Sequence, residues 1–148
     1  MAKIELENES LKAAEAECAT GRTAPRVTLD MIKARIENVV FVMGSDLIDT
    51  ARESVYPNVP DNLEPSEKMD RQQVVYNGAM KRGEVLTICL MTLHNGFMVL
   101  GKSAPASPAN YDADLGRKLA YEDCIRQLWP LCAFSLLDFQ TAEAAEAE

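Results

Sequence analysis

An α+β domain, with a small antiparallel β-hairpin sheet packed on helices, follows from three features of this 148-residue chain. Two runs of β-forming residues, 85–93 and 97–103, flank Asn95-Gly96, and Asn-Gly between such runs is the strongest short-range hairpin signal. A long stretch of helical apolar periodicity then starts near Asn110 or Asp112. With 47% hydrophobic and 26% charged residues, the chain has the composition of one globular domain, of a size that buries roughly 70% of its unfolded surface without disulfides or a structural metal. The single domain is expected over 21–140, between an acidic N-terminal extension, 1–20, and a disordered acidic tail, 141–148.

Residues 4–19 are rich in Glu and Ala, and their apolar positions Ile4, Leu6 and Leu11 form a thin stripe, so a solvated, fraying helix is expected there. Thr28 offers a helix cap ahead of Leu29, Ile32, Ile36, Val39 and Val40, whose spacing predicts one amphipathic helix over about 28–41. A second short helix is expected over 46–54, from Leu47, Ile48 and Ala51, and the three prolines of 57–66 read as loop. Residues 67–82 carry signals of both kinds. Ser66 as a cap and Lys81-Arg82-Gly83 as a terminus favour helix, Val74-Val75-Tyr76 before Asn77-Gly78 favours strand and turn, and the balance tips to helix.

In the hairpin, a two-residue loop at Asn95-Gly96 would set Thr92 opposite Val99 and Leu90 opposite Gly101, with Met91 opposite Leu100 and Cys89 opposite Lys102. The first strand is apolar on both faces, so one face is expected against a helix and the other against a further helix or a second subunit. In the helix that follows, Ala120, Tyr121, Cys124, Ile125, Leu128, Leu131 and Cys132 share one arc, with Glu122, Asp123, Arg126 and Gln127 largely opposite. Pro130 is expected to kink or end this long helix, with Ala133 to Phe139 docking as a separate short one.

The chemistry is sparse. Gly96 to Ser103 matches the letters of a phosphate-binding loop, but its middle residues are β-formers within a strand and Pro105 and Pro108 stand where the helix should open. One histidine excludes a multi-histidine metal site, and His94 beside the turn has no nucleophile with a positioning acid nearby. Cys18, Cys89, Cys124 and Cys132 are scattered, without a C-x-x-C pair, and read as reduced, buried thiols. Trp129, Tyr121 and Phe134 read as core. Arg117 falls on the apolar arc, where it must pair, with Asp112, Asp114 or Tyr121, or reach a polar pocket. The sharper arrangement joins Arg117 and Lys118 to Lys102, Ser103 and Ser107 as a small anion or ligand pocket. No cofactor and no metal are expected.

The net charge of −8 argues against a general nucleic-acid or membrane binder, and no run approaches the 18 apolar residues of a membrane span. The acidity lies chiefly at the two ends, because within 71–126 seven basic residues outnumber five acidic ones. An anionic ligand at the centre therefore stays compatible with the charge. A hairpin followed by a helix opening at Gly116-Arg117-Lys118 loosely resembles double-stranded RNA modules, which ranks nucleic acid below the other partners.

Residues 86–104 with their Asn95-Gly96-Phe97 turn, then Ser107-Pro108-Ala109-Asn110-Tyr111-Asp112, Gly116-Arg117-Lys118 and Trp129-Pro130-Leu131 form a pattern too specific for chance. It resembles a family of small tailed-phage proteins named after gene products 49 and 66 of two enterobacterial podophages. The resemblance covers about 85–138, with a weaker echo in 23–29. The family usually has Gly-Glu-Ser-Ala-Cys where this chain has Gly101-Lys102-Ser103-Ala104-Pro105, and Glu-Asn-Ala where it has Glu122-Asp123-Cys124, so Lys102 and Cys124 are not family features. It implies a phage origin and no particular chemistry. The expected function is a non-enzymatic phage accessory protein in the host cytoplasm that binds a host or phage protein and its own copies. The alternative is a binder of a small anionic ligand or nucleotide, such as a defence signal.

Overall fold

The computed structural model describes residues 9–54 and 59–147. Its element order is α1 (Glu9–Ala19), α2 (Leu29–Lys33), β1 (Ile36–Met43), α3 (Gly44–Thr50), a 3-10 turn at Arg52–Ser54, α4 (Pro65–Gly83), β2 (Thr87–Leu93), β3 (Met98–Ser103), a 3-10 turn at Pro108–Asn110 and α5 (Ala113–Glu146). The three strands form one antiparallel sheet in the order β1-β2-β3, so the fold is α+β as expected.

The first correction is β1. The helix expected over 28–41 begins as predicted, with the Thr28 hydroxyl accepting from the Met31 N–H at 3.2 Å, but it stops at Lys33. From Ile36 the chain is a strand paired with β2. The run Val39, Val40, Phe41, Val42 satisfies helix and strand periodicity alike, and such a run is decided by its partner. Branched and aromatic side chains fit a pleated surface, and β2 supplies the ladder. Glu37 is an extra residue in β1, between the pairs Ile36–Leu93 and Asn38–Thr92, and forms a bulge.

The short helix expected at 46–54 is α3, opening two residues earlier, with its last residues tightened into a 3-10 turn. Of the loop expected at 57–66, residues 59–64 are non-helical and Pro57 and Asn58 lie outside the described residues. The ambiguous 67–82 is helix α4, starting at Pro65, and its cap is Glu64 rather than Ser66. The Glu67 carboxylate accepts from the Glu64 N–H at 3.2 Å, and Pro65 sits where a helix needs no amide hydrogen. α4 returns to α3 through backbone contact, because a Cβ on Gly83 would lie 2.5 Å from the Ser45 nitrogen.

The hairpin forms as expected with its register one residue off. Leu93 and Phe97 close a three-residue loop, His94-Asn95-Gly96, through the Leu93 N–H to the Phe97 carbonyl at 2.9 Å. Only Gly96 adopts a positive φ, +84°, and the Asn95 side chain accepts from the Phe97 N–H at 3.0 Å. That is a tight turn followed by a glycine bulge, not the two-residue loop in which both central residues need positive φ. Met91 therefore faces Val99, Cys89 faces Gly101 and Ile88 faces Lys102.

α5 crosses the face built by Thr87, Cys89, Met91, Leu93 and Val99, and the core continues through Ala120, Tyr121, Cys124, Ile125, Leu128 and Cys132. Contact is closest at Gly101, where a Cβ would lie 2.1 Å from the Ala120 carbonyl oxygen. Two residues depart from the helical arc: Leu131 is 48% exposed, whereas Glu122 is 3% exposed. The cause is α1. Rather than fraying, it docks Leu11 in the core and hydrogen-bonds Ser10 to Glu122 at 3.3 Å, while Arg126 pairs with the same carboxylate from outside.

α5 also runs unbroken through Pro130 to Glu146, where a separate helix at 133–139 and an unstructured 141–148 were expected. Pro130 is exposed and removes one helical hydrogen bond, a penalty of about 3 kcal/mol. Burial of Cys132 and half-burial of Trp129, Ala133 and Leu136 on the same helix offset it. At about 1.5 Å per residue the 34 residues span about 51 Å, longer than the sheet can cover.

Candidate functional site

Of the five residues expected to form a ligand pocket, the register of β3 sets Lys102 apart from the rest. Gly101 and Val99 face α5, so by alternation Met98, Leu100 and Lys102 point to the opposite face, away from the helix that carries Arg117 and Lys118. Ser103 faces α5 and lines a small cleft of about 100 Å³ at the start of that helix, together with Tyr111, Asp112 and Gly116. Ser107 is exposed in the bend before the 3-10 turn, and Lys118 is half-buried. Neither they nor Arg117 and Lys102 line the cleft. Arg117 ion-pairs with Asp114, one of the partners expected for it. Two polar atoms nearby remain unmatched, because the Arg117 Nε and the Thr87 hydroxyl are buried without a hydrogen-bond partner. Thr87 lies directly under Gly116, whose missing side chain leaves room for its hydroxyl.

The other polar candidates are structural. His94 is exposed in the turn and its N–H donates to the Arg35 carbonyl at 2.9 Å. Gly96–Ser103 is hairpin and not a phosphate loop. Cys89 and Cys124 are fully buried. Their mutual hydrogen bond, and then burial, push the Cys89 thiol up, while the hydrogen bond from Cys89 pulls Cys124 down. The Cys124 thiol lies 3.6 Å from the Cys89 carbonyl, held inside the core with no route for a substrate. Cys132 is buried, as expected, whereas Cys18 is exposed. Among the described residues no cluster of His, Cys, Asp and Glu is placed to hold a metal. No described helix is long and apolar enough to cross a membrane.

Two apolar features stand out instead. The outer face of the sheet carries Val40, Leu90 and Leu100 in one cross-strand row, with Val42, Ile88 and Lys102 on one side of it and Asn38, Thr92 and Met98 on the other. Val40, Leu100 and Met98 are 49, 52 and 59% exposed. The free edge of β3, by contrast, is engaged. Asp123 of α5 accepts from the Lys102 N–H at 3.0 Å and Gln127 donates to the Leu100 carbonyl at 2.9 Å, so two of the groups that could template another strand are taken.

The second feature is a cavity of about 560 Å³ between α1, the segment 22–27 and the far half of α5. Trp129, expected in the core, lines it, with Leu11, Cys18, Ala133 and Leu136. Sequence reasoning misses this cavity because it treats 1–20 as an extension. The signal is present in the i, i+3, i+7 spacing of Leu11, Ala14 and Cys18, which all line it.

The sequence model of the phage protein family described as N4 Gp49/phage Sf6 gene 66 matches residues 27–139 of this chain. The match extends upstream of the 85–138 that carries the motifs and takes in β1, α3 and α4. No curated protein and no solved structure matches.

Proposed function

The chain belongs to that family of phage proteins, and from there we propose that it is a non-enzymatic accessory protein of the host cytoplasm that binds protein, its own copy first, through the outer face of the sheet. The exposed row of Val40 and Leu100 flanking Leu90, with Met98 beside it, carries this reading. An exposed apolar row flanked by polar residues, here Lys102, Asn38 and Thr92, marks an interaction surface. Because Asp123 and Gln127 engage the β3 edge, the partner meets the face and not that edge. A face-to-face pair would bury Val40, Leu100 and Met98 from both copies, the self-complementary arrangement of a two-fold dimer. Sedimentation equilibrium tests it. The parent chain should be a dimer at micromolar concentration, and Leu100→Glu should be a monomer with an unchanged far-ultraviolet spectrum. A monomeric parent chain removes the proposal.

A second reading, a small anionic ligand or nucleotide near the start of α5, is favoured by the unmatched Thr87 hydroxyl and Arg117 Nε beside the Ser103 cleft. A thermal-shift series with nucleotides and cyclic nucleotides should then show stabilisation of about 2.7 kcal/mol at a hundredfold excess over the dissociation constant. Arg117→Ala should abolish it. Of the five residues first grouped there, Ser103 lines the cleft and Arg117 follows Gly116 of its wall, whereas Lys102 lies on the other face.

A further inference from the structure

The cavity between α1 and α5 has a chemistry of its own. Its volume of about 560 Å³ falls in the range of small-molecule pockets. Most of its wall is apolar, from Leu11 and Val27 on one side to Trp129, Ala133 and Leu136 on the other. The polar part of its lining includes Glu15, Arg22 and Arg26. Glu15 is occupied, because its carboxylate accepts from the Leu29 N–H at 2.7 Å, and Arg22 donates to the Cys18 carbonyl at 3.3 Å. Arg26 is different. Its Nη1 is buried and has no hydrogen-bond partner. That enclosed atom is out of a ligand's reach, but the other guanidinium nitrogens are not enclosed and make no hydrogen bond or ion pair, and the groups that match them best are carboxylates and phosphates.

We propose that this cavity binds a medium-chain aliphatic carboxylate, with the carboxylate on Arg26 and the chain lying against Trp129. Two guanidinium groups against one carboxylate leave one positive charge, which suits a monoanion better than a doubly charged phosphate. The predominantly apolar wall suits a body without further polar groups, since any such group would be buried unpaired. The cavity is built by α1, the 22–27 segment and α5, so this binding does not require the outer sheet face.

Trp129 is the chain's sole tryptophan, so its fluorescence reports on this site alone. Titration of the full chain with decanoate below its micellar range should shift that emission saturably, and decanol, which has the same body without the charge, should bind at least about tenfold more weakly, the loss expected for one charge-assisted hydrogen bond. Arg26→Gln should weaken decanoate by a similar factor while leaving decanol unchanged. Ala133→Phe, which fills the cavity with an apolar ring, should abolish binding of both with the circular dichroism spectrum preserved. The proposal is overturned by a parent chain whose emission does not saturate, by decanol matching decanoate, or by Ala133→Phe binding like the parent. The last two arms hold even if Arg26→Gln fails to fold.

Discussion

The close crossing of α5 over β3 is the contact on which the core depends, and Gly101→Ala tests it directly. A Cβ at this position would lie 2.1 Å from the Ala120 carbonyl oxygen, 2.7 Å from the Cys124 sulfur and 2.9 Å from the Cys124 nitrogen. Two of these obstacles are helix backbone, which no rotamer change can clear. Gly101 does not have a positive φ, so alanine adds no backbone strain and the effect is steric. Restoring ordinary contact requires α5 and β3 to part by roughly 1 Å, and a gap of that size forfeits about a quarter to a half of the attraction at each contact along the seam. Overpacking penalties run to about 1–3 kcal/mol, and with backbone on both sides the upper end, about 3 kcal/mol, is expected. For a chain of this size that lowers Tm by roughly 10 °C. Urea unfolding followed by Trp129 fluorescence and circular dichroism measures it. Gly78→Ala is the control, because Gly78 is inside α4 with nothing within 4 Å of its Cβ position, and alanine there should stabilise by up to about 1 kcal/mol. A Gly101→Ala loss below about 0.5 kcal/mol would refute the packing argument.

Three further outcomes are expected. Pro130→Ala should raise stability by about 1–3 kcal/mol in urea unfolding, because α5 is already continuous and the Arg126 carbonyl regains its donor. Asp123→Ala with Gln127→Ala should lower stability by roughly 1–2 kcal/mol and raise light scattering on standing, because both edge clips on β3 are lost together. In the folded protein one thiol, Cys18, should react quickly with Ellman's reagent, with Cys89, Cys124 and Cys132 reacting only on unfolding; four fast thiols would contradict the buried pair.

The elements legible in the sequence are those whose signals are local. The helix start at Asp112, the apolar arc from Ala120 to Leu128, the glycine turn and the Thr28 cap appear where they were expected, since each depends on residues within a few turns. The parts that differ are decided by partners distant in the chain. Ile36 to Val42 becomes a strand because β2 lies more than forty residues on. α1 holds as a docked helix because Glu122 and Leu29 receive Ser10 and Glu15. Residues beyond Pro130 stay helical because Cys132, Ala133 and Leu136 have a core to meet. In each case propensity gave an ambiguous answer and burial decided it.

The candidate site turned on a smaller matter, one residue of register. With a two-residue loop Cys89 would oppose Lys102 and so bring a lysine onto the face that α5 covers, beside Arg117 and Lys118. With the three-residue loop it is Gly101 that meets Cys89, and the lysine turns outward among Ile88, Leu90 and Leu100. The same step clears the inner face of charge, lets α5 approach to backbone contact, and gathers Leu100 and Met98 with Val40 on the outer face. A basic cluster and a close-packed helix crossing are thus alternatives for this hairpin, and the Asn95 side chain bonded to the Phe97 N–H helps select the second. If the loop were instead Asn95-Gly96 closed by His94 and Phe97, Lys102 would be driven under α5 and the core would open, so the sheet's apolar outer face and its tight inner seam rise and fall together.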